Sequence, residues 1–136
     1  MKKRLKNIFV ILIPLGILAL VTSLSLLPPE NLPSAGGWFT DIPFGDKIVH
    51  FAFYFCLITA TRFAKTYTTG YTEACPWRLL VIATVYGGAI ELLQGKYFGR
   101  GCDFWDEAAN ILGAVVAIWI IPQVWHERLA SRMGRE

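Results

Sequence analysis

Residues Asn7 to Leu27 read NIFVILIPLGILALVTSLSLL, an uncharged run of 21 residues that decides the fold. As an α-helix, a run of this length extends about 30 Å, which is the thickness of the hydrocarbon core of a bilayer. Pro28 and Pro29 follow it and cannot continue a helix. A signal peptide would have a shorter apolar region and a small-x-small cleavage site, which only Ser23 to Ser25 resembles. The run is therefore predicted to be an uncleaved membrane anchor.

Three further stretches are apolar enough to cross a bilayer, with polar exceptions. They are residues 46–64, 77–96 and 103–123. With 7–27 they occupy most of the 136 residues, of which 54% are apolar, and no second, water-soluble domain fits into the remainder. We therefore predict one domain over residues 1–136, an all-α integral membrane bundle of four transmembrane helices.

The basic residues predict how this bundle is oriented, because lysine and arginine collect in the cytoplasmic loops of membrane proteins. On one side of the membrane lie Lys2, Lys3, Arg4, Lys6, Arg62, Lys65, Arg78, Arg128, Arg132 and Arg135, and on the other lie Lys47, Lys96 and Arg100. The first side is predicted to be the cytoplasm, so both termini are cytoplasmic and the loops 28–45 and 95–102 face outward. The net charge of +3 lies in these short clusters and not along one helix face, so nucleic acid is not a predicted partner.

The three cysteines show neither a redox nor a zinc-binding spacing. The predicted topology puts Cys75 in the cytoplasm and Cys102 outside. Cys56 would lie about 15 Å below the outer end of its helix. No two of them can therefore pair within one chain.

Polar residues recur at helical spacing in three of the spans. On the second span they are Asp46, His50 and Tyr54, on the third Glu91 and Gln94, and on the fourth Asp103, Asp106, Asn110 and Gly113. Such spacing places each set on one helix face, and the predicted topology brings the three faces to one level near the outer surface. Arg100, in the third loop, is expected to join them and to be charge-coupled to Glu91.

Ionisable residues inside a membrane are costly, and they face other helices or a water-filled cavity. One interpretation is a functional cleft, open to the outer side, that these residues line. The other is structural: Arg100 neutralises carboxylates while His50, Gln94 and Asn110 hydrogen-bond the helices together. Asp46 could also be only a helix N-cap, and Tyr54 only a packing residue. Both interpretations stay open at this point.

These motifs resemble the signature of the VanZ-like family of small bacterial membrane proteins. The matching pieces are Asp46-Lys47-x-x-His50-Phe51 with Tyr54 and Leu57, Glu91-Leu-Leu-Gln94, and Arg100-x-x-Asp103-x-x-Asp106-x-x-x-Asn110-x-x-Gly113-Ala114. Family members often have a further glycine where this chain has Ala117. The resemblance implies a multi-pass protein of the bacterial plasma membrane. The family is named after a member linked to reduced teicoplanin susceptibility, which implies a context in the cell envelope but no reaction.

Two kinds of function follow for the predicted cleft. The first is binding of a polar head group of a membrane lipid or of a lipid-linked cell-wall precursor, with Arg100 as the anion contact. The second is a membrane-embedded enzyme in which His50 is the general base and Glu91 or Asp106 the acid. No serine lies in the cluster and no activated-nucleophile motif is present, which favours binding. The sequence leaves the oligomeric state open.

No cofactor or metal is predicted. His50 with Glu91, Asp103 and Asp106 would offer one nitrogen and several oxygens. This set suits magnesium, calcium or manganese better than zinc, which prefers more histidine or cysteine ligands.

Overall fold

The structure, a computed structural model, describes residues 2–27, 43–69, 77–98 and 102–133, with side chains for 4–27, 43–69, 77–98 and 102–119. Within these ranges the chain forms four α-helices and no strand, which confirms the predicted all-α fold. The helices are α1 (Lys2–Ser25), α2 (Gly45–Thr69), α3 (Trp77–Tyr97) and α4 (Phe104–Met133).

α2, α3 and α4 start within one residue of the predicted positions and end further along the chain, whereas α1 starts five residues earlier than predicted and ends two residues earlier. α3 begins at Trp77, as expected, and α2 begins one residue before Asp46, after Phe44 in a left-handed conformation with φ 63°. α2 continues past the predicted end at residue 64 to Thr69, and α4 continues past residue 123 to Met133. The extensions are physically reasonable, because a helix does not have to end where the hydrocarbon ends.

In the described part of the chain, three helices are long and apolar enough to cross a membrane: α1 from Arg4, α2 and α3. Many large apolar side chains on the described surface are exposed, among them Ile8, Phe9, Leu12, Leu15, Leu20, Val81, Ile82, Val85 and Leu92. A water-soluble monomer rarely exposes so much contiguous apolar surface. The chain is therefore a membrane protein by its helices and surface, while membrane crossing by α4 and the orientation stay predictions.

The bundle is organised around α2, which packs most extensively against α4 and next against α1, while α3 packs mainly against α4. Small residues on α4 allow the close α2–α4 approach, and Ala114 and Ala117 are completely buried. The alanine at 117 is therefore accommodated in the core. The core comprises Val21, Tyr54, Ile58, Ala83, Ala114 and Ala117.

The antiparallel order brings four helix termini together at one end of the bundle, which we call the site end. It consists of the last turns of α1 and α3 and the first turns of α2 and α4. The Gln94 side-chain amide on α3 donates a hydrogen bond to the Ser25 carbonyl at the end of α1, with an N···O distance of 2.6 Å. Nearer the opposite end, the buried Arg62 guanidinium donates to the Ile118 carbonyl of α4 at 2.7 Å. Polar side chains thus bridge neighbouring helices toward both ends.

We expect an impermeant thiol reagent to label Cys102 on intact cells. Cys102 is exposed at the site end, and Cys56, although exposed, lies in the middle of α2 where lipid would cover it. Cys75 lies outside the described residues. Chains that keep only Cys102 or only Cys75 provide the comparison, with permeabilised cells showing that each thiol can react. Labelling of the Cys75-only chain on intact cells would overturn the predicted topology.

Candidate functional site

The start of α2 places a lysine among three carboxylates at the site end. The Lys47 Nζ lies 2.7 Å from Asp46 Oδ2, 2.6 Å from Asp103 Oδ2 and 2.8 Å from Asp106 Oδ1. The Lys47 side chain is only 21% exposed, so its aliphatic stem is largely covered while its ammonium reaches the three acids. The lysine therefore joins the first turn of α2 to the first turn of α4.

Asp103, which precedes α4, has two partners for its carboxylate. One is the Lys47 ammonium, and the other is the Trp105 backbone N–H, which donates to Asp103 Oδ1 at 2.8 Å as in a helix N-cap. The hydrogen bond from Lys47 and that from the Trp105 N–H hold the pKa of Asp103 below its ordinary value. Asp103 is therefore ionised at neutral pH and helps to start α4.

His50, one turn after Asp46, is buried between α3 and α4 with 7% of its surface exposed. Its Nδ1 lies 3.1 Å from Asn110 Oδ1 on α4 and 3.7 Å from Glu91 Oε1 on α3. Its Nε2 lies 3.8 Å from Asp106 Oδ2. One imidazole thus faces two carboxylates and an amide on two other helices.

The contacts of Asn110 determine which His50 nitrogen carries the proton. Asn110 is almost fully buried, and its Nδ2 donates to Glu107 Oε2 at 3.0 Å. Because the Asn110 amide nitrogen is used in this way, its oxygen faces His50 and can only accept. Nδ1 of His50 is therefore the donor, and in the neutral ring the lone pair is on Nε2, directed toward Asp106.

Tyr54, one turn below His50, is buried with 3% exposed, and its ring packs against Tyr86 with centroids 6.1 Å apart. Its hydroxyl finds no hydrogen-bond partner among the described residues. A Cβ at Gly87 would overlap Glu107 Oε2 and lie 3.0 Å from the Tyr54 hydroxyl oxygen. The glycine on α3 therefore makes the space that these two polar groups occupy.

Most residues that the sequence pattern singles out do come together. Asp46, His50, Glu91, Asp103, Asp106 and Asn110 form one cluster at the site end, which we call the polar cluster together with Lys47 and Glu107. The described contact of Gln94 is instead the bond to Ser25, a helix-to-helix link. Arg100 lies outside the described residues, so its predicted coupling to Glu91 stays a prediction.

Sequence reasoning missed two members of the polar cluster. In the sequence, Lys47 was considered only as part of a motif and as one of the basic residues in the loops. Its position next to Asp46, opposite the acidic start of α4, could have indicated an ion pair between α2 and α4. Glu107 was not singled out, although it lies three residues before Asn110, a spacing that lets side chains meet on a helix.

Two groups of three side chains in the described residues could hold a cation. Asp46, Asp103 and Asp106 form the first, and His50, Glu91 and Asp106 form the second. Lys47 already provides a cation to the first. The polar cluster as a whole can bind a cationic or hydrogen-bonding group, or transfer a proton at His50. Comparisons of the chain with protein-family models, curated proteins and solved structures found no match.

Proposed function

We propose that this chain is a VanZ-like protein of the bacterial plasma membrane whose polar cluster lines an outward-facing cleft. The cleft binds the polar head group of a membrane lipid or of a lipid-linked cell-wall precursor. One observation carries the proposal: buried ionisable and amide side chains on α2, α3 and α4 converge at the site end of the bundle. The VanZ-like motifs support the envelope context.

A purely structural role accounts less well for the polar cluster. Helices can be held together by one or two neutral hydrogen bonds, such as that from Gln94 to Ser25. His50 and Glu91 are instead a buried ionisable pair at 3.7 Å, a separation longer than a hydrogen bond. Burying such groups is costly in a membrane, which favours retention for binding or chemistry.

The charges indicate which part of a head group each side of the cleft would recognise. Lys47 is surrounded by three carboxylates and is poorly placed to bind an anion. The acidic groups favour an amine or a hydroxyl, which lipid and precursor head groups carry beside their phosphates. Arg100 is the predicted phosphate contact, since its planar guanidinium suits phosphate oxygens. By binding such a head group, the protein would modulate the response of the cell envelope to glycopeptide antibiotics.

His50→Asn is expected to abolish the phenotype of the protein without reducing its abundance in the membrane. Asparagine keeps a hydrogen-bonding group near Asn110 but removes the Nε2 that faces Asp106. The measurement is sensitivity to envelope-directed antibiotics on overexpression, together with the amount of inserted protein. His126→Asn, at the only other histidine, is the matched control and should leave both unchanged.

Two outcomes of this experiment would contradict the proposal. A folded, abundant His50→Asn chain with full phenotype would remove His50 from the site. Loss of abundance in step with phenotype would indicate a structural role, because an unmade buried hydrogen bond costs about 1–3 kcal/mol.

The second candidate function is a membrane-embedded enzyme that acts on a lipid-linked head group. The observation that favours it is the orientation of His50: Asn110 fixes Nδ1 as the donor, which leaves Nε2 as a base beside Asp106. Native mass spectrometry of gently extracted protein separates the two functions. A binding protein should lose its retained lipid in His50→Asn, whereas an enzyme should retain the lipid and lose only its turnover.

A further inference from the structure

Three side chains from three different helices meet in the interior of the polar cluster. His50 on α2, Glu91 on α3 and Asp106 on α4 each offer one ligand atom, and these atoms lie within 4.8 Å of one another. Two of these residues, His50 and Glu91, belong to the buried part of the bundle. Such a meeting of one nitrogen with two carboxylates is a chemically competent ligand set for a divalent ion.

A positive charge would be stabilised in the gap between His50 Nε2 and Asp106 Oδ2. Because Nδ1 carries the ring proton, the Nε2 lone pair of the neutral imidazole faces the Asp106 Oδ2 lone pairs at 3.8 Å. Two acceptors facing each other repel unless a proton or a cation lies between them. Two ligands about 2.1 Å from one metal ion are at most about 4.2 Å apart, so the observed separation accommodates an ion.

Two of the three ligands, His50 and Asp106, are held in place by outer partners, as metal ligands usually are. Asn110 Oδ1 accepts from His50 Nδ1, and the Asn110 amide nitrogen is itself held by Glu107 Oε2. Lys47 binds Asp106 through Oδ1, which leaves Oδ2 directed toward His50. Neither ligand has to rotate to face the gap.

Lys47 does not take the place of this ion. It neutralises one of the three carboxylates around it, so Asp106 keeps negative charge that it can share with a cation on its other oxygen. The trio of Asp46, Asp103 and Asp106, in contrast, already has the Lys47 ammonium at its centre. The gap beside His50 is thus the better position for a metal among the described residues.

We infer that His50, Glu91 and Asp106 form a binding site for one divalent first-row metal ion, with the gap between His50 Nε2 and Asp106 Oδ2 as its position. Carboxylate oxygens with a single imidazole suit Mn²⁺, and Mn²⁺ can be detected directly by electron paramagnetic resonance. This inference goes beyond head-group binding and departs from the sequence, which predicts no metal. It is independent of any phenotype of the chain.

The experiment is a titration of the full-length chain with MnCl₂ in detergent, after chelator treatment and without a polyhistidine tag. We expect about one Mn²⁺ bound per chain and, in pulsed electron paramagnetic resonance, coupling of the ion to an imidazole nitrogen. The chain has two histidines, so His126→Gln should retain this coupling and His50→Gln should lose it. His50→Gln should also weaken Mn²⁺ binding at least about 10-fold, as loss of a ligand or of its support typically does.

Glu127→Gln is the matched control, because it removes a carboxylate that belongs neither to the polar cluster nor to the three ligands. It should leave both affinity and nitrogen coupling unchanged. Three results would overturn the inference: no stoichiometric Mn²⁺, bound Mn²⁺ without imidazole coupling, or coupling that persists in His50→Gln. The first is expected if a proton on His50 fills the gap instead. If His50→Gln does not fold, His126→Gln alone decides. Nitrogen coupling retained in His126→Gln can come only from His50, whereas loss of the coupling in that variant excludes His50 as the ligand.

Discussion

Gly113→Ala is expected to destabilise the bundle more than any other single-methyl change at a described glycine. A Cβ at residue 113 would overlap the Phe51 carbonyl oxygen and lie 3.0 Å from its carbonyl carbon and 3.1 Å from the Phe55 nitrogen. All three are backbone atoms of α2, so no side chain can rotate away, and α2 and α4 must separate. This is the largest interface of the bundle.

The expected loss is about 2–3 kcal/mol in the free energy of unfolding. Overpacking costs about 1–3 kcal/mol, and separation of the long α2–α4 interface places this case at the upper end. The higher helix propensity of alanine offsets at most about 1 kcal/mol of this destabilisation. The measurement is the thermal denaturation midpoint of purified protein together with its abundance in the membrane.

Gly88→Ala is the matched control for Gly113→Ala. It changes the same residue type in the middle of a helix, and no heavy atom lies within 4 Å of the added Cβ. Its stability should equal or slightly exceed that of the parent, because the helix propensity of alanine is not opposed by a clash. Equal stability of Gly113→Ala and Gly88→Ala would mean that α2 and α4 do not approach closely at Phe51.

The helices and the stripes of polar residues on them could be predicted from the sequence because both follow from periodicity. Hydropathy located α1, α2 and α3, and the spacing of Asp46, His50 and Tyr54 placed the last two inside the bundle. Asp46 differs from them because it lies in the first turn, where its side chain is 54% exposed. Whether a residue of this stripe is buried therefore depends on its position along the helix as much as on the face that it occupies.

The extent of α2 could not be predicted from hydropathy, since the residues after Ala64 are polar. The helix continues there, and the hydroxyl side chains in this stretch bond to carbonyls of the preceding turn. Thr68 donates to the Ala64 carbonyl and Thr69 to the Lys65 carbonyl, both at 2.8 Å. Such bonds between a side chain and the preceding turn leave no signal in a search for membrane spans.

The inner contacts of the polar cluster also depend on details that spacing does not contain. Glu107 is adjacent to the stripe of Asp106 and Asn110, yet it faces Tyr54 across Gly87 because that glycine leaves room for it. Lys47 reaches α4 because its stem is long and flexible. The contacts of Glu107 and Lys47 depend on how closely the helices approach each other. The predicted order of the helices does not specify that distance.

Lys47→Gln is expected to destabilise the site end by about 1–2 kcal/mol at neutral pH, because hydrogen bonds to charged groups contribute about 1.5–3 kcal/mol and two of the three acids are partly exposed to solvent. The ammonium is shared by Asp46, Asp103 and Asp106, and an amide can neither neutralise them nor donate to all three. Their mutual repulsion would then separate the first turns of α2 and α4. The measurement is the thermal denaturation midpoint as a function of pH.

The sign of the pH dependence follows from Asp103, whose pKa is lowered by the hydrogen bond from Lys47. A lowered pKa stabilises the folded chain above the unfolded value, about 3.9, and this contribution is lost as the pH falls through the folded value. The difference between the parent and Lys47→Gln should therefore be largest at neutral pH and should shrink below about pH 4, where the carboxylates protonate.

Lys96→Gln is the matched control for Lys47→Gln because Lys96 is exposed near the end of α3 and its described contact is to the Tyr97 ring, 5.1 Å away. Removing that charge should change the midpoint little at any pH. Adding Asp103→Asn to Lys47→Gln removes one of the repelling carboxylates, so the pair should be less than additive and recover part of the lost stability. Strictly additive losses, or a Lys47→Gln effect independent of pH, would show that Lys47 does not hold α2 to α4 through these carboxylates.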